Sequence, residues 1–201
     1  LQLFVTGSEG AEKFNLYAKF MTTNPLIKVM SYLTYASILF HVIDGFVLTI
    51  QNRKARPVKY VLEKGSANSS WSSRNMAVLG TILLVFIVTH MQHFWYVMHF
   101  GGIEQVLIEG ESVKNLHKVV MNFFDPAMNS SALMMVSLYV FAMAAMGYHL
   151  QHGFSSAFQS LGLNHEKYTP LIKKLGTAFC ILIPLAFASI PIYLYYIQTF
   201  H

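Results

Sequence analysis

Three histidines of this chain stand inside long apolar stretches, where polar side chains are rare: His41, His90 and His149. A neutral imidazole can ligate a transition metal, relay a proton or make a hydrogen bond, and an ionisable side chain within a membrane segment is a candidate for such work. Gly45 and Gly153 follow His41 and His149 by four residues. Because residues four apart share a helical face, each glycine leaves space beside an imidazole.

The stretches that hold these histidines are long enough to cross a bilayer. The chain has 201 residues, of which 54% are hydrophobic and 11% charged, whereas soluble domains carry about 25% charged residues. A membrane-spanning helix needs about 20 apolar residues. Four segments meet this requirement, and they predict an all-α transmembrane helix bundle that forms a single domain over 1–201: 26–50, 75–100, 128–160 and 171–198.

The charges predict how the bundle lies in the membrane. Basic residues concentrate in the loop between the first two segments, at Arg53, Lys54, Arg56, Lys59, Lys64 and Arg74. The positive-inside rule places this loop in the cytoplasm, so the net charge of +5 is interpreted as topology and not as a nucleic-acid surface. A disulfide framework within the chain is excluded because Cys180 is the only cysteine. Pro184 and Pro191 are expected to kink the fourth helix.

Depth in the membrane pairs two of the histidines. At a rise of 1.5 Å per residue, His41 lies about 13 Å from the cytoplasmic end of its segment, and His149 lies near the same side. His90 lies about 22 Å from that side and has no histidine at its depth in the other three segments. Two facing imidazoles on neighbouring helices suit the axial positions of a b-type haem, and ligation requires that they be neutral.

Less specific interpretations stay open for each residue. A histidine within a bundle can simply be hydrogen-bonded. His93 and His152, three residues past His90 and His149, are candidates for hydrogen bonds to a haem propionate or a quinone, or for polar lining. Asp44 is either a proton relay, a quinone contact or a neutral hydrogen-bonded acid. No role is assigned to the remaining histidines: His99, His117, His165 and His201.

Four motifs in order resemble one family over essentially the whole chain. They are GAEKFNLYAKFM at 10–21, FHVIDGFVL at 40–48, IVTHMQHFW at 87–95 and YHLQHGFSSAFQSLGL at 148–163. The sequence resembles the cytochrome b membrane anchor of succinate:quinone oxidoreductases, of the single-subunit di-haem type in succinate dehydrogenases and fumarate reductases. The nearest likeness is to the forms in menaquinone-using bacteria.

This resemblance implies five transmembrane helices and two stacked haems, of which four helices are visible here. It assigns His41 and His149 to the proximal haem, with Gly45 and Gly153 as clearance for the ring, and His90 to the distal haem. The partner of His90 is expected in a first helix before Leu1, so the sequence is expected to be an N-terminal truncation.

The resemblance also implies a place in the respiratory chain and the tricarboxylic acid cycle. The chain itself is expected to carry no catalytic residue. It would dock a flavoprotein subunit and an iron–sulfur subunit, and transfer electrons to or from menaquinone or another quinone. Its location would be the bacterial inner (cytoplasmic) membrane, as a multi-pass protein. Two alternatives are the anchor of a different b-haem complex, of the hydrogenase or formate dehydrogenase type, and a haem-free small membrane transporter.

Overall fold

The computed structural model describes residues 2–5, 7–55, 57–58, 65–163 and 165–200. Three basic residues of the predicted cytoplasmic loop, and one histidine, lie outside the described residues: Arg56, Lys59, Lys64 and His201. The described elements, in chain order, are a 3-10 turn at Gln2–Phe4, α1 (Ser8–Thr23), α2 (Pro25–Lys54), α3 (Gly65–Asn68), α4 (Trp71–Arg74), α5 (Met76–His90), a π-helical turn at Met91–Tyr96, α6 (Val97–Phe100), β1 (Gln105–Ile108), β2 (Glu111–Lys114), α7 (Leu116–Phe124), α8 (Ala132–Ser160) and α9 (Thr169–Phe200).

Four helical segments of the described chain are long and apolar enough to cross a membrane. They are α2, the continuous helix Met76–Phe100, α8 and α9. Their bounds lie within four residues of the predicted segments at every end. The predicted fold class, an all-α transmembrane bundle, is confirmed, and the chain is a multi-pass membrane protein by the length and composition of these helices.

The start of α2 is fixed by local chemistry. Asn24 Oδ1 accepts hydrogen bonds from the backbone N–H groups of Leu26 (2.9 Å) and Ile27 (3.3 Å). These are two of the donors that a helix start leaves without a partner, and Pro25 at the first helical position has no N–H to satisfy. At the other end, Arg53 and Lys54 lie in the last turn, where positive charge is favourable.

The segment between the second and third spans, predicted only as a loop, contains regular structure. β1 and β2 pair antiparallel, with Val106 opposite Val113. Their two-residue turn has positive φ at both positions, 53° at Glu109 and 82° at Gly110. That is the geometry of the turn that best matches the twist of a tight hairpin. The sequence pattern could not predict this hairpin. The alternation of apolar and polar residues in its strands is short, and glutamate rarely adopts a positive φ.

The residues group into two compact units. The first consists of Leu1–Ser37, Phe86–Val140 and Ala188–His201, and the second of Ile38–Val85 and Phe141–Phe187. The first unit has a core of Phe124, Val136, Tyr139 and Leu194, on which aromatic and aliphatic side chains pack. The prediction of a single domain over the whole chain stays a prediction.

Close approach of α8 and α9 organises the second unit. A Cβ at Gly147 would lie 3.1 Å from the carbonyl oxygen of Cys180, and a Cβ at Gly176 would overlap the ring of Phe154. Pro184 has no N–H to donate to the Cys180 carbonyl, four residues earlier, and that carbonyl faces Gly147. Small residues that let helix backbones approach are the usual means of packing helices in a membrane. Despite Pro184 and Pro191, α9 continues as one helix to Phe200.

A polar network joins α1 to the β-hairpin and α7, three elements that we call the cap. The side chain of Asn15 is only 2% exposed. Its amide donates to Asn115 Oδ1 (3.2 Å), and its carbonyl accepts from the backbone N–H of His117 (2.8 Å). Asn115 Oδ1 also accepts from Lys118 N and caps α7. Burial lowers the pKa of His117, whose ring lies edge-on to Phe14.

Replacement of Asn15 should loosen the cap. Asn15→Ala leaves the His117 N–H and one Asn115 acceptor without their buried partner, and we expect the free energy of unfolding to fall by about 1–3 kcal/mol. Urea unfolding of the detergent-solubilised protein measures this. Glu12→Ala, on the exposed side of the same helix, is the control and should change stability by less than about 0.5 kcal/mol. Equal effects of the two variants would contradict a structural role for the network.

Replacement of Gly176 should separate α8 from α9. A methyl group at position 176 meets the ring of Phe154 at its Cγ, Cδ1 and Cε1 atoms, not at the end of a flexible chain. We expect Gly176→Ala to lower the free energy of unfolding by about 1–3 kcal/mol, although alanine is the better helix former. Thr177→Ala is the neighbouring control. A stabilised Gly176→Ala protein in thermal unfolding would show that the two helices do not approach as described.

Candidate functional site

The structure places the rings of His41 and His149 next to each other within the second unit. His41 lies near the middle of α2, and His149 lies in the second half of α8. Their ring centroids are 6.0 Å apart and their planes are almost perpendicular, at 89°. The two residues that the depth argument pairs are therefore close in space, on different helices.

One nitrogen of this pair has no hydrogen-bond partner. Among buried side-chain nitrogen and oxygen atoms of the described residues, Nδ1 of His149 is the one left without a donor or acceptor. An unpartnered buried polar atom costs about 1–3 kcal/mol, so most such atoms in folded proteins find a partner. The imidazole of His149 is thus a group that a further ligand would satisfy.

Glycines surround the pair on three helices. A Cβ at Gly45 on α2, or at Gly153 on α8, would meet no atom within 4 Å. Gly80, on α5, lies closer: a Cβ there would be 3.7 Å from Cε1 of His149. No residue of α2 is buried, so the helix face that bears His41 and Gly45 is open. The site therefore combines two neighbouring imidazoles with an unobstructed glycine one helical turn from each.

Two imidazoles on neighbouring helices are a ligand set that a b-type haem could use. An imidazole nitrogen binds a metal at about 2.0–2.1 Å, so the centroids of two rings that share one metal lie roughly 6–7 Å apart. The observed separation is 6.0 Å. No cluster of three or more His, Cys, Asp or Glu side chains occurs in the described ranges. A bare zinc ion usually takes three or four protein ligands, whereas haem iron needs at most two.

His90 has different surroundings, in the first unit. Its ring contacts are with Phe86 (5.6 Å), Phe94 (5.2 Å) and Tyr139 (5.8 Å). A π-helical turn begins at the next residue, and such turns are frequent at functional sites. The described residues show His90 at an aromatic cluster and not facing a second histidine ring. Its assignment to a distal haem stays a prediction.

The two accessory histidines both have hydrogen-bond partners. Nδ1 of His93 lies 3.4 Å from the hydroxyl of Tyr139, and Nε2 of His152 lies 3.3 Å from the hydroxyl of Ser156, one turn further along α8. These contacts agree with the interpretation of both residues as polar lining. Their proposed contacts with a propionate or a quinone stay predictions. Asp44 lies on an exposed part of α2.

Sequence reasoning missed three residues of this region. Gly80 lies beside His149. Gly147 and Gly176 set the distance between α8 and α9. None of these three glycines was predicted to have a role. The sequence does contain a signal that could have identified these glycines. A glycine within a helix costs up to about 1 kcal/mol relative to alanine, so each one raises the question of what approaches it closely. Gly80 also lies near the end of its segment that is predicted to be cytoplasmic, at the depth predicted for His149.

No protein-family model, no curated protein and no solved structure matches this chain. The case for its function therefore rests on its own residues and on the order of its motifs.

Proposed function

We propose that this chain is a membrane-embedded b-type cytochrome that serves as the anchor subunit of a succinate:quinone oxidoreductase. The observation that carries the proposal is the facing pair His41 and His149, on two helices that can span the membrane, with open space at Gly45 and Gly153. The order of the four motifs supports the choice of this complex over other b-haem complexes.

His41 and His149 would hold the haem iron, each as a neutral imidazole. The neutral form avoids the cost of a buried charge and leaves a nitrogen lone pair for the iron. A b-type haem supplies a one-electron carrier whose potential depends on its axial ligands and on burial. The apolar side chains of the spans exclude water, and Gly80 lets α5 approach the edge of the His149 ring.

The remaining parts of the chain serve assembly. Basic residues between the first two spans, among them Arg53, Lys54 and Arg74, lie on the side expected to face the iron–sulfur and flavoprotein subunits. In this role the chain transfers electrons between the iron–sulfur subunit and menaquinone, or another quinone, and itself performs no chemistry on carboxylate substrates. The bacterial inner membrane is the compartment that this role requires.

Histidine variants test the haem assignment. We expect the purified membrane protein to contain b-type haem in a pyridine haemochrome assay, and His41→Ala and His149→Ala each to remove the same haem, because each deletes one of its two axial ligands. His165→Ala, in a loop, is the control and should retain full haem content. If the distal haem is also bound, His90→Ala removes that haem alone.

The same preparations separate this proposal from its alternatives. A folded, inserted protein that lacks a Soret band when made in haem-replete cells would contradict the cytochrome and favour a haem-free transporter. Haem with no flavin-containing subunit in a mildly solubilised native complex would favour the anchor of a hydrogenase or formate dehydrogenase. Reduction of the haem by succinate in native membranes is the result expected for the proposed complex.

The space beside Gly153 gives a second test. A Cβ at position 153 would meet no atom of the chain within 4 Å, so we expect Gly153→Leu to leave the haem-free protein about as stable as before. It should nevertheless lower haem content, because the leucine occupies the space of the macrocycle. Gln151→Leu adds the same side chain two residues earlier, in a different direction from α8, and should retain the haem. Equal haem content in the two variants would show that the space at Gly153 serves no ligand.

A further inference from the structure

The last two turns of α1 expose a patch of apolar side chains. Tyr17 and Phe20 are each 52% exposed and Met21 is 39% exposed. Their spacing of three and four residues places them on one face of the helix. Large apolar groups that cluster in this way usually mark a surface that another phase or molecule covers.

The opposite face of α1 is held by the rest of the cap. Asn15 is buried between α1 and α7, and Lys19 forms an ion pair of 2.5 Å with Glu111 of the β-hairpin. α1 therefore cannot turn the patch inward without breaking these contacts. The patch faces away from the cap elements that hold the helix.

The position of the patch in the chain indicates what covers it. α1 ends at Thr23, and α2, the first of the four candidate membrane spans, begins at Pro25. Phe20 thus precedes a membrane helix by only five residues. The charged side chains on the exposed side of α1 lie in its first turns, where Glu9 and Lys13 form a solvent-exposed ion pair of 2.6 Å. Polarity therefore falls along α1 toward the point where the chain enters the bilayer.

We propose that α1 is an interfacial helix whose carboxyl-terminal turns insert Tyr17, Phe20 and Met21 into the headgroup–acyl boundary of the membrane. Aromatic side chains are enriched at that depth, and amphipathic helices bury their apolar faces there by about 5–10 Å. Lys28, in the first turn of α2, is exposed, and a lysine there is long enough to place its ammonium at the same boundary. The occupant of the patch is lipid, and the inference does not depend on haem or on partner subunits.

Site-directed spin labelling tests this proposal. The chain is suited to it because its single cysteine, Cys180, is 4% exposed and can be replaced by alanine. Nitroxide labels are placed at Phe20→Cys, Lys13→Cys and Val29→Cys, and each protein is reconstituted in vesicles of phosphatidylcholine and phosphatidylglycerol. Power saturation then compares the collision of each label with oxygen, which concentrates in lipid, and with a water-soluble nickel chelate.

The expected result is a shift in the oxygen-to-nickel collision ratio from a water value at position 13 toward a lipid value at position 20, close to that at position 29 in the span. A ratio at position 20 equal to that at position 13 would overturn the proposal, because the patch would then face water. A label at position 20 that is immobile and inaccessible to both reagents would also overturn it, because protein and not lipid would cover the patch.

Discussion

The absence of water in the hydrocarbon core of a membrane governs this chain. Every polar group placed there must find a partner within the protein or in something that the protein binds. The backbone meets this requirement by forming helices, and several Ser and Thr hydroxyls in the spans donate back to a carbonyl one turn earlier, as Thr49 does to Gly45 at 2.7 Å. His149 is an exception, because its Nδ1 is buried and has no hydrogen-bond partner among the described residues. In the described part of the chain, the candidate site is therefore where a buried side-chain atom leaves this requirement unmet.

Packing between helices determines whether the two imidazoles meet. Membrane helices gain little hydrophobic free energy from association, so close contact of backbones at small residues is what orients them. Gly147 and Gly176 bring α8 against α9, and Gly80 brings α5 against His149. α2, in contrast, buries none of its residues. A group held between His41 and His149 would thus supply contacts that α2 does not make with the rest of the chain.

The sequence predicted the spans well because their signal is composition over about twenty residues, which tertiary context seldom reverses. It also predicted the pairing of His41 and His149, because a membrane fixes depth, and depth can be counted along a helix. It could not predict α1 as a helix of sixteen residues, the β-hairpin, or the network around Asn15. Those depend on side chains about 100 residues apart in sequence, such as Asn15 and Asn115, and no local pattern reports such contacts.

The π-helical turn at Met91–Tyr96 has a consequence for how this segment tolerates change. A π turn accommodates one more residue than an α turn, so side chains beyond it are rotated by roughly 100° from the positions that uniform α-helical counting would give. Deletion of one residue within the turn would restore regular α geometry at little local cost. It would also swing α6 and the β-hairpin beyond it by that angle about the helix axis. Length changes here would therefore act as a rotation of the β-hairpin against α1, not as a shortening of the span.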